Sequence, residues 1–121
     1  MAIAVAATRQ VLADAYKNIA GTNEVWISVH TADPGATGIN EASGGTPAYA
    51  RKKCTWTSGT GGVLNGSQVA VDLDAGTYTH VGLWKTQSGT AATDFIDKVD
   101  IADTVLGAQG QLLITPTFTQ S

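Results

Sequence analysis

The chain has 121 residues, of which 43% are hydrophobic and only 14% charged, with a formal net charge of −3. That length predicts one domain, residues 1–121, large enough to bury a core without staples. The acidic balance excludes a strong electrostatic case for nucleic acid, which needs a basic stripe. The only basic cluster, Arg51-Lys52-Lys53, reads as a solvated strand end. So few charges also leave little repulsion between copies, which suits a dense assembly.

The first ten residues, MAIAVAATRQ, lack a positive segment ahead of their apolar residues and read as no signal peptide. No run approaches eighteen apolar residues, so no membrane span is predicted. A helix is predicted over about residues 8–20. Thr8 stands at its N-cap, and Val11, Leu12, Ala15, Tyr16 and Ile19 fall on one face at helical spacing. Asp14 and Lys17 form a supporting pair three apart, and Gly21 follows where a left-handed cap is wanted. That apolar stripe is expected to lie against the sheet or a neighbouring subunit.

After Gly21 the period changes to two. Val25, Ile27 and Val29 alternate with Trp26, Ser28 and His30, the pattern of a half-buried strand. Residues 31–51, TADPGATGINEASGGTPAYAR, then hold four glycines and two prolines with almost no large apolar side chain. A connection this long in a compact domain usually has a task. Asp33-Pro34-Gly35 suits a tight turn, with Pro34 fixing φ and Gly35 supplying a positive one. We expect an ordered arm that makes subunit or lattice contacts.

Further strands are predicted at Ala50–Thr57, Gln68–Leu73 and Thr77–Trp84, then a weaker one at Phe95–Ile101 and a last one at Gln111–Phe118. Turns at Ser58–Gly62, Asp74–Gly76 and Ser88-Gly89 separate them, and Pro116 marks an edge. Val25, Ile27, Val69, Val71, Val81 and Leu83 are the expected shared core. This order predicts a mainly β fold, an antiparallel β-sandwich or open barrel over about 24–121 with one N-terminal helix.

Catalytic groups are scarce. Ser28, His30 and Asp33 can be assembled into a triad on paper, but nothing in the sequence builds an oxyanion hole around them. No nucleophile elbow, phosphate loop or metal-spaced histidine pair occurs. Asp94, Asp97, Asp100 and Asp103 recur every third residue, which throws carboxylates onto opposite faces of a strand and does not match a calcium loop. Cys54, the only cysteine, reads as a small buried hydrophobe. No catalytic residue, cofactor or metal is therefore expected. Trp26 and Trp84 point away from the aliphatic face, so they belong either to a second packed layer or to a contact surface, and the contact surface is the reading taken.

Ser28-Val29-His30-Thr31-Ala32-Asp33-Pro34-Gly35, then Gly38, Asn40-Glu41, Gly44-Gly45 and Ala48-Tyr49-Ala50-Arg51, form an ordered string. Trp56, Ala75-Gly76-Thr77, Thr79 to Trp84 and Gly107-Ala108-Gln109-Gly110 extend it over nearly the full chain. The string resembles small virion proteins of actinobacterial phages and their relatives, often labelled tail-fibre or minor structural proteins. The segment Asp94 to Thr104 departs from it by being more acidic. The resemblance implies a non-enzymatic virion protein, decorating or stabilising the capsid shell. The alternatives it leaves open are a minor tail or tail-tip component and one of that kind that binds a host-surface glycan. It implies contacts through Trp26, Asp33, Pro34, Gly35, Asn40, Glu41, Tyr49, Arg51 and Trp84. The expected partners are copies of the chain itself, as a trimer, and the major capsid protein or tail proteins, with no nucleic acid and no membrane.

Overall fold

A computed structural model describes residues 2–121. Its elements follow one another as α1 (Ala6–Lys17), β1 (Glu24–His30), β2 (Lys52–Ser58), β3 (Val63–Gly66), β4 (Val69–Leu73) and β5 (Gly76–Trp84). After a short 3-10 turn at Ala92–Asp94 come β6 (Phe95–Leu106), β7 (Gly110–Ile114) and β8 (Thr117–Thr119). The protein is mainly β with one N-terminal helix. Six strands form an antiparallel sheet in the order β6-β5-β1-β2-β3-β8, curled into a half-barrel. Strands β4 and β7 pair separately. Of the two architectures expected, the open one is found.

Strand β1 lies inside the sheet, between β2 and β5. Val25, Ile27 and Val29 are fully buried, facing Cys54 in β2 and Leu83 and Val81 in β5 through the ladder registers. They join Trp56, Leu64, Val69, Val71, Leu73, Tyr78 and Val81 in one core. Each such side chain contributes roughly 1.5–3 kcal/mol of transfer free energy. Five of the six expected core residues belong to this cluster, while Leu83 packs against it partly buried.

Several elements differ from expectation. Strand β3 is absent from the sequence reading, being only four residues long. Strand β5 carries a register shift between Tyr78 and His80. Between those two positions β6 advances four residues while β5 advances two, and Tyr78 is buried while Thr77 is exposed and Thr79 half-buried. Strand β6 runs to Leu106 rather than Ile101. The last predicted strand is two, β7 and β8, separated at Thr115-Pro116, where a residue without an N–H interrupts the ladder.

The helix corrects the largest expectation. It begins at Ala6 after Val5, without the side-chain cap assigned to Thr8. Most of its apolar stripe faces away from the sheet, with Val11 67% exposed and Leu12 and Ile19 also exposed, while Tyr16 turns inward. The inner face is Ala13 and Tyr16 flanked by polar side chains. Arg9 Nε donates to Gly61 O at 2.8 Å, and Gln10 Oε1 accepts from the Gly62 and Val63 amides at 2.9 and 3.2 Å. Lys17 Nζ donates to Ser58 Oγ at 2.8 Å. Hydrogen bonds to the loop between β2 and β3, plus Tyr16 stacked on Phe118 at 3.9 Å, set the helix's rotation.

Candidate functional site

The segment 31–51 folds back onto its own sheet. Glu41 bridges to His30, the Thr31 amide bonds to Asn40 O and the Ala42 amide to Val29 O, so the returning chain extends the pairing of β1. Asp33-Pro34-Gly35 does form a turn. Gly35 N donates to Asp33 Oδ1 at 2.8 Å, the Gly38 and Ile39 amides both bond to Pro34 O, and Gly35 has φ +62°. Asn40 also takes a positive φ of 63°, held by its Nδ2 on Asp33 O at 3.0 Å. The segment is thus ordered, as expected, with these backbone groups satisfied within the chain.

The far end of the segment closes a buried polar clasp. Arg51 grips Glu41 bidentately, Nε to Oε2 and Nη2 to Oε1, both at 2.8 Å. Its Nη1 donates to Thr86 O at 3.1 Å and Gly89 O at 2.8 Å. Tyr49 donates its phenol proton to Glu41 Oε2 at 2.5 Å and accepts from the Val29 amide at 3.2 Å. Burial alone would raise the Glu41 pKa. The hydrogen bonds from Arg51 and Tyr49, with the guanidinium charge, outweigh it and hold the carboxyl below its ordinary value. Burial and the Glu41 carboxylate push the Tyr49 phenol strongly upward.

The guanidinium also lies on the Trp84 ring, 3.7 Å from its centroid. Trp84 is 1% exposed, and the β carbon of any larger residue at Gly38 would overlap its ring, so the loop backbone covers it. Its Nε1–H donates to Ser28 Oγ at 2.9 Å, and Ser28 Oγ is 2.7 Å from His30 Nε2. His30 Nδ1 lies 2.8 Å from Ile39 O, which as a carbonyl must accept. That places the proton on Nδ1, leaves Nε2 to accept from Ser28 and orders the chain Trp84→Ser28→His30→Ile39. Burial dominates the His30 environment and lowers its pKa, so the imidazole is neutral as this order requires.

These facts place each expected contact residue. Trp84, Arg51 and Pro34 are buried by their own chain, so the outward reading of Trp84 is corrected to the second packed layer. Glu41 and Tyr49 are half-buried in the clasp, as is Trp26 on β1. Asp33 and Asn40 stay exposed, with Gly35 half-buried beside them, and Lys98 reaches Asp33 at 2.5 Å. Ser28 and His30 were weighed only as parts of a triad. They do touch, but Asp33 turns to Lys98 and Gly35, and both side chains are fully buried. The spacing of two on one strand was the signal for their contact.

What remains outward is apolar. Val11 and Leu12 on α1, and Val5 and Ile19 just beyond its two ends, are exposed. An open groove lies between β6 and the β7–β8 segment, with Tyr16 of α1 in its lining. No helix among the described residues is long and apolar enough to cross a membrane.

A family described as Podophage GP4 fiber I protein gp80 matches residues 4–115. The chain belongs to this family. The match spans α1, the clasp and every strand but β8. Membership makes the chain a phage virion structural protein of fibre type, in agreement with the coarser part of the sequence resemblance. No curated protein and no solved structure matches the chain.

Proposed function

We propose that this gp80-family chain is a non-enzymatic subunit of a phage fibre or tail appendage, joined to copies of itself through the outer face of α1. The carrying observation is the inverted helix. Val5, Val11, Leu12 and Ile19 face outward while polar side chains bind the helix to its own sheet. A contiguous apolar face on a small protein usually marks a partner site. A trimer closes such a contact by rotation and repeats one interface. The non-enzymatic reading is supported by the clasp, in which the Ser28–His30 pair is sealed from solvent and hydrogen-bonded at both ends.

Immunogold labelling of intact virions with a quantitative copy count tests this. A few tens of copies or fewer, with label on the tail or its appendages, is the expected result. Hundreds of copies over the shell would replace the fibre reading with capsid decoration.

A further inference from the structure

The end strands of the six-stranded sheet, β6 and β8, do not pair with each other. A groove of about 610 Å³ lies between them, lined by Trp56 and by apolar residues that include Val99 and Ile101 of β6, Ile114 of β7 and Phe118 of β8. Strand β6 pairs only with β5, so along its other side alternate backbone N–H and C=O groups have no ladder partner. A long open edge of this kind is a template for another strand. One donor in the groove lining is also unmatched. Trp56 is 2% exposed, and its Nε1–H has no hydrogen-bond partner. Buried donors are paired in nearly all native proteins, so an unmatched one points to an acceptor that arrives from outside.

The charges select the occupant. Five of the seven cationic side chains pair with carboxylates inside the chain: Lys17, Arg51, Lys52, Lys53 and Lys98. Arg9 is held by the carbonyls of Ile3, Ala4 and Gly61, which leaves Lys85. On β6, Asp97, Asp100 and Asp103 have no cationic partner among the described residues. A second copy pairing edge to edge, antiparallel about Asp100, would set Asp97 against Asp103 and Asp100 against itself. Like charges directly opposite are destabilising in a sheet. The same carboxylates favour a strand that carries cations.

We infer that the groove is a docking slot for an extended strand of another protein, alternating apolar with Lys or Arg residues. The strand pairs with the open edge of β6, lays its apolar side chains in the groove and offers a backbone carbonyl to Trp56 Nε1. The inference deepens the reading of the chain as a virion building block, on which it rests, by naming the chemistry of one partner. Its test uses purified protein, so failure here leaves the copy count and labelling result standing, and the reverse.

The probe is a nine-residue peptide of alternating Lys and Val, with an alternating Glu and Val peptide as control. Hydrogen exchange and indole NMR shifts are read together. The expected result is saturable binding of the Lys peptide, slowed exchange at β6 amides around Val99 and Ile101, and a downfield shift of the Trp56 indole proton. The Glu peptide should bind at least tenfold more weakly. Asp100→Lys with Asp103→Lys should invert that preference, and Trp56→Phe should weaken binding about fivefold, the worth of one net hydrogen bond. Equal binding of both peptides, no protection of β6, or protection of β6 by protein concentration alone would overturn the inference.

Discussion

The Arg51 guanidinium lies 3.7 Å from the centroid of the Trp84 ring while its two edges hold Glu41 and the carbonyls of Thr86 and Gly89. One side chain thus fastens the end of the 31–51 segment to the turn after β5. Because Arg51 is buried, its guanidinium cannot exchange these partners for water.

Removing one member of that ion pair leaves the other uncompensated. Arg51→Met should therefore lower stability by about 3–5 kcal/mol, read from urea midpoints at constant slope. Glu41→Gln combined with Arg51→Met should cost clearly less than the sum of the two single changes, since neither charge is then left alone. Strict additivity would show that the pair does not act as a unit.

Glycines in the same segment should rank by their surroundings. At Gly38, φ is +80° and an added β carbon overlaps the Trp84 ring, so Gly38→Ala combines backbone strain with overpacking, about 2–4 kcal/mol in total. Gly35 has φ +62° but open space around it, so Gly35→Ala should lose only about 1 kcal/mol. Gly107 has neither constraint, and Gly107→Ala should be neutral or slightly stabilising. Thermal midpoints of the three variants give the order directly.

Acid should weaken the fold in two steps. Burial lowers the folded pKa of His30 beneath its ordinary 6.5, although Glu41 pulls the other way, and Arg51 and His80 add to the lowering. Below pH 6.5 the unfolded chain therefore binds the extra proton first. Stability is complete above that value and falls as pH drops toward the folded pKa. Glu41, held below its ordinary 4.5, adds a second loss beneath pH 4.5. Urea midpoints taken from pH 8 to pH 3 should show both steps, and Glu41→Gln should shrink the lower one, the remainder coming from Asp14 and Asp33, which are also held low. A midpoint that stays flat between pH 7 and pH 5 would contradict the ordered Trp84–Ser28–His30 chain.

The outer helix face should separate folding from assembly. Leu12→Glu and Val11→Lys replace exposed side chains, so each should change stability by less than about 0.5 kcal/mol. The same changes should abolish self-association seen by sedimentation equilibrium. Unaltered association would move the interface off α1.

The pattern of what could be read in the sequence follows from how local each cause is. Strands β1 and β4 were legible because Val25, Ile27, Val29, Val69, Val71 and Leu73 keep a strict period of two. The irregularity after Tyr78 was not, since the extra residues lie in the partner strand β6 and nothing within β5 marks them. The helix was visible, but its rotation was not. Periodicity finds the apolar stripe, whereas Arg9, Gln10 and Lys17 answer to carbonyls, amides and a hydroxyl some forty to fifty positions away. The clasp residues Glu41, Tyr49, Arg51 and Trp84 were all singled out, yet as surface contacts. Their mutual approach depends on β1 pairing with β5, a relation no spacing within the loop expresses. The groove escaped altogether, because an open seam belongs to the sheet's curl and to no single strand.

The position of β1 between β2 and β5 bears on how the chain reaches this fold. The β1–β2 hairpin is separated by the 31–51 segment, and the second ladder joins Ile27 to Leu83, far along the chain. Sheets dominated by such distant pairings form in milliseconds to seconds, slowly for a domain of this size. Throughout that interval β1, rich in Val and Ile and bare of aspartates, presents an unguarded edge. The mature β6 edge is protected by its carboxylates; the nascent β1 edge is protected only by the arrival of β5. Recovery of native protein from denaturant should therefore depend on concentration, with dilute refolding giving the higher yield.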